Sequence, residues 1–220
     1  MRLRSIKLIS HPVVEPVSLT EARAQVRLHP DQTDDDAFLM GLIATGRRLV
    51  EKRLGIALVA QQYRARFDNE EPPVDWRLAA SFMPTLSIMS TQYRAALGVV
   101  EPYVRLPVAP LLVDGTHPVA LAVSGTTTVD PATYTVDSDS MPGLIRFGSV
   151  PTLAAKEFLE VTFWAGTAAG QPIAPQLKSA ILLYVGHLYV HREAVSDDGA
   201  VEMPMAFETL LASESITGAW

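Results

Sequence analysis

Hydrophobic and polar positions change period twice along this 220-residue chain. Residues 1–55 read as a short extended start followed by two helices. Residues 56–165 alternate with a period of two, and residues 172–213 return to helical spacing. The first helix opens at Ser18-Leu-Thr-Glu21, a capping box in which the hydroxyl accepts from the N3 amide and the glutamate reaches back. Pro30 is expected to stop it. The second helix opens at Thr33 or Asp34 and places Asp34, Asp35 and Asp36 where the helix dipole favours negative charge. Leu39, Leu42, Ile43, Leu49, Val50 and Leu54 form its apolar stripe, and Gly55 ends it.

In Val59–Phe67 the residues Val59, Tyr63, Ala65 and Phe67 share one face, with Gln62, Arg64 and Arg66 on the other. That is the pattern of a half-buried antiparallel strand. Further strands are expected at Leu86–Tyr93, Pro102–Leu106, Val119–Ser124, Tyr134–Asp137, Gly143–Phe147 and Phe158–Trp164, separated by Pro-, Gly- and Asp-containing turns. Their number and spacing predict a small antiparallel sandwich or barrel. Gly166–Pro175 reads as a hinge, and Pro175 suits the first position of a long helix reaching about Arg192. The middle of that helix is apolar all round. Ile181, Leu182, Tyr184, Val185, Leu188 and Tyr189 are therefore expected to pack against a neighbouring subunit as well as the chain's own core. A last short helix is expected over Pro204–Ala212. The predicted class is α+β: a small helical bundle of two N-terminal helices and one long C-terminal helix, an inserted antiparallel β domain, and a C-terminal arm. The expected boundaries are 1–55 with 172–195 for the helices, 56–171 for the β domain and 196–220 for the arm.

Composition narrows the chemistry. A hydrophobic fraction of 48% with 19% charge belongs to a chain that folds. There is no cysteine, which removes disulfides, thiolate metal sites and cysteine nucleophiles. The first residues carry positive charge with no apolar run behind them, so no signal peptide is read there. The longest apolar-rich run, Ser179–Val190, is too short for a bilayer and contains His187, so no membrane partner is expected.

The net charge of −6 is unevenly placed. Residues 1–192 balance 18 basic against 18 acidic side chains. Residues 193–220 hold Glu193, Asp197, Asp198, Glu202, Glu208 and Glu214 with no base at all. Phe207, Leu210, Leu211, Ile216 and Trp220 lie in the same stretch. An acidic segment with apolar anchors is a candidate docking arm for another protein; a last helix folded onto its own domain is the competing reading.

Catalytic signatures are lacking. There is no nucleophile elbow, P-loop or dinucleotide fingerprint. His187 and His191 share a helix face at a spacing that can hold one metal, but the glutamate of the zincin motif is missing. The Asp31–Asp36 acids lack the glycine and glutamate of a calcium loop. Arg47, Arg48, Lys52 and Arg53 form the densest basic cluster, read here as a solvated helix face rather than a phosphate contact. No cofactor, metal ligand or catalytic residue is assigned. A hydrolase using converging carboxylates with His187 or His191 is the alternative of a different class.

Several stretches, in this order, resemble the head–tail connector (adaptor, or head-completion) proteins of tailed phages. They are Pro16-Val-Ser-Leu-Thr-Glu-Ala-Arg23 with Val26-Arg-Leu28; Gly46-Arg-Arg-Leu-Val-Glu-Lys-Arg-Leu-Gly-Ile-Ala-Leu58 with Gln61-Gln62; and Leu106-Pro-Val-Ala-Pro-Leu111. Next come Asp130-Pro-Ala-Thr-Tyr-Thr-Val-Asp137 with Pro142-Gly-Leu-Ile-Arg146, then Val161-Thr-Phe-Trp-Ala-Gly166, Pro175-x-Leu-Lys178 and Tyr189-x-x-Arg-Glu193. Residues 68–101 are longer than the family pattern, and nothing past Val195 matches it.

The resemblance implies a non-enzymatic ring of typically twelve copies in the neck of a phage or gene transfer agent particle, made in the host cytoplasm before assembly. Such a ring sits beneath the portal protein and extends a channel through which double-stranded DNA passes without sequence-specific binding. It also offers a surface to the next neck or tail protein, a stopper or tail terminator. The C-terminal anchors would then reach the portal. Another virion ring component, such as a tail-completion protein, is the nearest alternative.

Overall fold

The computed structural model describes residues 1–29, 31–68, 103–154, 156–191 and 205–214. By its contacts the chain divides into two units, Met1–His11 with Gln61–Gly166, and Pro12–Ala60 with Thr167–Trp220. The architecture is α+β with antiparallel sheets. The expected strand at Leu86–Tyr93 lies outside the described residues.

The first unit is built on strands. β1 (Arg2–Ser10) pairs with β2 (Gln61–Asp68), which pairs with β9 (Phe158–Ala165). On the other side of β9 lie β4 (Leu111–Leu112) and β5 (Ala120–Val123), and β5 pairs with β6 (Thr127–Thr128). A second sheet runs β3 (Tyr103–Arg105), β8 (Leu144–Phe147), β7 (Tyr134–Asp137). The alternation read in the sequence is the real one. Ala65, Phe67, Leu159, Val161, Phe163 and Leu121 are buried on one face of the large sheet. Val104, Ile145 and Phe147 are the buried residues of the small one. The two sheets touch at Gly143, where a Cβ would stand 2.7 Å from Leu111 Cβ. The extended start is strand β1. It joins the sheet rather than the helices, because its backbone finds a full partner in β2.

The second unit holds α1 (Leu19–Gln25), α2 (Asp36–Leu54), α3 (Pro175–Val190) and α4 (Met205–Glu214). The capping box is complete: Ser18 N–H donates to Glu21 Oε2 at 2.8 Å, and Glu21 N–H donates to Ser18 Oγ at 3.2 Å. The first helix stops at Gln25, earlier than Pro30 requires. Arg27 turns left-handed (φ 58°), and Leu28 N–H closes back on the Arg23 carbonyl. The second helix starts at Asp36 rather than Thr33 or Asp34, and the acids there have tertiary partners. Asp36 takes Arg23 Nε at 2.8 Å, and Asp35 accepts from the Tyr189 hydroxyl at 2.5 Å. Gly55 ends α2 in the left-handed region (φ 67°), as its position suggested.

One apolar cluster joins the helices. Ala22 of α1, Leu39, Leu42, Ile43 and Val50 of α2, Leu177, Ala180, Ile181, Tyr184 and Val185 of α3, and Phe207 and Leu211 of α4 are buried together. Gly46 lets α2 approach α3 closely: a Cβ there would lie 3.0 Å from Tyr184 Cδ1. Among the described residues no helix is long and apolar enough to cross a membrane.

Candidate functional site

The residues singled out for partner contact do not share one environment. Phe207 and Leu211 are only 1% and 3% exposed, and the Phe207 ring lies 6.4 Å from that of Tyr184. A side chain already closing its own core is not available to anchor a partner, so these two are core residues. Leu210 packs partly against the same cluster. Ile216 and Trp220 lie outside the described residues. On α3 the division is similar. Ile181, Tyr184 and Val185 are buried within the chain, while Leu182, Leu188 and Tyr189 are half-buried at the cluster's margin and Val190 is 74% exposed. An all-apolar helix here is covered on one side by its own unit.

The basic cluster of α2 also divides. Arg47 is 2% exposed. Its Nε donates to Glu15 Oε2 at 2.7 Å and its Nη1 to Glu51 Oε2 at 2.6 Å. Glu51 in turn accepts the Leu58 N–H at 2.9 Å. Burial alone would push the Arg47 guanidinium down, but the two carboxylates more than compensate and hold it above its ordinary value. This group therefore ties the loop before α1, the helix α2 and the chain leaving it. Nothing in a single sequence sets Arg47 apart from Arg48. Only its spacing to Glu51, one helical turn on, hints at the pair. Arg53 is exposed and meets Glu208 of α4 at 3.2 Å.

The His187 and His191 rings stand 4.9 Å apart, and burial followed by the neighbouring imidazole lowers the His187 pKa. Among the described residues no group of three or more His, Asp or Glu could hold a metal. Asp114, Thr116 and His117 do cluster, but Asp114 Oδ1 and Thr116 Oγ1 both meet the same His117 nitrogen, Nδ1, at 2.8 and 2.9 Å. A nucleophile–base relay needs its two partners on opposite ring nitrogens. The cluster is a turn: Asp114 accepts from the backbone N–H groups of Thr116 and His117, and its hydrogen bonds from Thr116, then His117, hold the carboxyl well below its usual range.

Several of the stretches that carry the family resemblance do structural work among the described residues. Glu21 of the capping box also meets Lys178 Nζ at 3.1 Å, joining α1 to α3. Leu106 N–H donates to the Gly143 carbonyl and Gly166 N–H to that of Pro110, both at 2.9 Å, so the Leu-Pro-Val-Ala-Pro-Leu turn pins two strand ends. Asp130 caps the short 3-10 turn Pro131–Thr133 through Ala132 N–H at 2.9 Å.

One feature escaped the sequence pattern. Arg64 and Arg66 of β2 point to the same face of the large sheet as Lys7 of β1, which is the register partner of Arg64. Arg4 pairs with Asp68 on that face, and Arg2 is the register partner of Asp68. Glu160 of β9, 8% exposed, meets Arg66 Nε at 3.0 Å and Arg64 Nε at 3.4 Å. Sequence alternation shows Arg64 and Arg66. Only strand pairing brings residues 2–7 beside them.

No protein-family model and no curated protein matches the sequence. Solved structures do match. A chain in the neck of an empty GTA (gene transfer agent) particle, computed with C6 symmetry, superimposes with a TM-score of 0.67 at 18% identity over 99% of this chain and 98% of that one. The chain has the fold of a gene transfer agent neck protein. A chain from the virion of the native gene transfer agent particle gives 0.65 at 17% identity, covering 99% and 98%. Another, from the native GTA neck computed with C12 symmetry, gives 0.61 at 19% identity, covering 97% of each. The likeness in fold therefore runs over nearly the whole length of the chain.

Proposed function

We propose that this protein is a structural head–tail connector of a phage-like particle, working as a ring of identical copies beneath the portal. The observation that carries the reading is the end-to-end likeness to chains of the gene transfer agent neck. The connector-like order of motifs in the sequence supports the same reading. In this reading the helices, with the β domain inserted between them, make the ring. The half-buried margin of α3, with Leu182, Leu188 and Tyr189, meets the next copy. Twelve copies extend the DNA channel and present a face to a stopper or tail protein. Ile216 and Trp220 are the remaining candidates for portal contact, since Phe207 and Leu211 serve the core. Catalysis has no part in this role.

The test is assembly. Purified full-length chain mixed with the portal protein of the same particle should co-sediment as a ring complex, with a mass by light scattering that fixes the copy number. Removing residues 213–220 should weaken portal binding and leave the chain folded. Failure to associate with itself or with the portal at any concentration would sink the proposal.

A further inference from the structure

The outer face of the β1–β2 pair concentrates positive charge on a chain that is acidic as a whole. Arg2, Arg4, Lys7, Arg64 and Arg66 stand against Asp68 and Glu160. Arg2 and Lys7 are exposed and have no carboxylate partner among the described residues. Lys7 lies directly opposite Arg64, a like-charge cross-strand pairing that disfavours the sheet unless an anion is at hand. Glu160 supplies only part of that. It is shared between Arg64 and Arg66, and Arg64 Nε is buried with no hydrogen-bond acceptor. Both arginine side chains as a whole remain about two-fifths exposed.

Among the described residues the patch also offers few of the apolar anchors of a protein interface: Trp164, on the same face, is half-buried beside the His117 ring. The cores of such interfaces are depleted of charge and rich in apolar anchors. Here the aromatic ring beside the cations, Phe158, is already covered by Arg66, 4.6 Å from its centroid. The apolar side chains of β1 and β2 that alternate with the cations, Ile6, Leu8, Tyr63 and Ala65, belong to the opposite face. A polar surface bearing guanidinium and ammonium groups, about 7 Å apart between Arg64 and Arg66 on β2, suits a row of phosphates.

We infer that this face contacts the phosphate backbone of duplex DNA without reading its sequence. The choice of DNA as the polyanion rests on the connector reading above; the surplus of charge does not. With a net excess of three cations the contact is weak in one copy, as a passage for moving DNA requires, and is multiplied in a ring.

The experiment uses the full chain and a short fluorescein-labelled duplex of mixed sequence, with affinity followed by anisotropy as NaCl is raised. The wild type should show a log–log salt slope of about −3, since each neutralised phosphate contributes about −0.9. The double substitution Lys7→Gln with Arg64→Gln should bring the slope to about −1. Arg27→Gln with Lys52→Gln, which removes the same charge from exposed positions of the helical unit, should leave it unchanged. Equal losses in both variants, or an unchanged slope in the first, overturns the inference. So does loss of self-association in the first variant alone, which would make the face a protein interface. Thermal melts verify folding, and Lys7→Gln alone, at an exposed edge position, replaces the double variant if that fails to fold. Absence of rings with the salt effect intact counts against the connector reading and leaves this one standing.

Discussion

Two regions of the molecule handle arginine in opposite ways. In the helical unit Arg47 is withdrawn from water and matched by Glu15 and Glu51, with the second carboxylate also holding a backbone amide. In the β unit Arg64 and Arg66 stay partly in solvent and divide one carboxylate between them, with Lys7 opposite. A buried guanidinium is tolerated only when its donors are satisfied, so the first arrangement is architectural. A half-exposed surplus costs little and leaves charge for a ligand. Residue type alone does not separate the two roles; the completeness of pairing does.

The sharpest way to break this contrast is Glu51→Ala. It strands Arg47 and the Leu58 N–H, and should cost about 3–5 kcal/mol in urea denaturation. A loss below about 1 kcal/mol would mean that the cluster is not structural. Glycine packing offers a second comparison of the units. Gly143→Ala drives a methyl against Leu111 Cβ and Cδ2 and should cost roughly 1–3 kcal/mol. Gly46→Ala meets a looser contact with Tyr184 and gains about 1 kcal/mol of helix propensity, so it should cost clearly less. Finding the reverse order would overturn the account of the two close approaches.

Ser18→Ala should cost about 1 kcal/mol. It should also flatten the acid limb of stability. The Ser18 backbone N–H first, and its hydroxyl to a smaller extent, hold the Glu21 pKa below its ordinary value, a contribution present above the unfolded carboxylate pKa that fades as pH falls through the folded one; alanine keeps the backbone part, so only the hydroxyl's share is lost. Denaturation curves between pH 7 and pH 3 would read this directly. The smallest effect belongs to Arg66→Gln, expected to change stability by less than about 1 kcal/mol because the pair is partly solvated. A cost like that of Glu51→Ala would erase the distinction between the two regions.

Local signals were legible wherever one residue's chemistry decides the backbone. The Ser18–Glu21 box, the left-handed Gly55 and Pro175 at the start of α3 all stand where the sequence put them, and the alternation read over Val59–Phe67 holds from Gln61, with Val59 outside the strand. Each depends on neighbours within a turn or on the pleat of a single strand. The end of α1 was misjudged because Arg27 takes a conformation that few non-glycine residues adopt. The acids of Asp34–Asp36 suggested a dipole effect, whereas Asp35 and Asp36 are claimed by Tyr189 and Arg23, the first from far along the chain.

The candidate site was less legible. Phe207 and Leu211 could be read either as anchors on a docking arm or as part of a last helix folded onto its own domain, and α4 buries them in the core with Tyr184. An apolar side chain on a short helix has the same sequence signature whether it meets its own domain or another protein. The choice belongs to whichever surface is nearest after folding.

The sequence by itself therefore determined the class of elements, their order and the caps that bound them, because those follow from interactions over a few residues. Tertiary structure decided which charges are buried and which remain on offer, because burial and pairing depend on partners distant in the chain. Glu15 lies 32 residues from Arg47, and Glu160 lies 94 from Arg66. Strand pairing then set the cations of residues 2–7 beside those of β2, and only in that arrangement does a basic face exist.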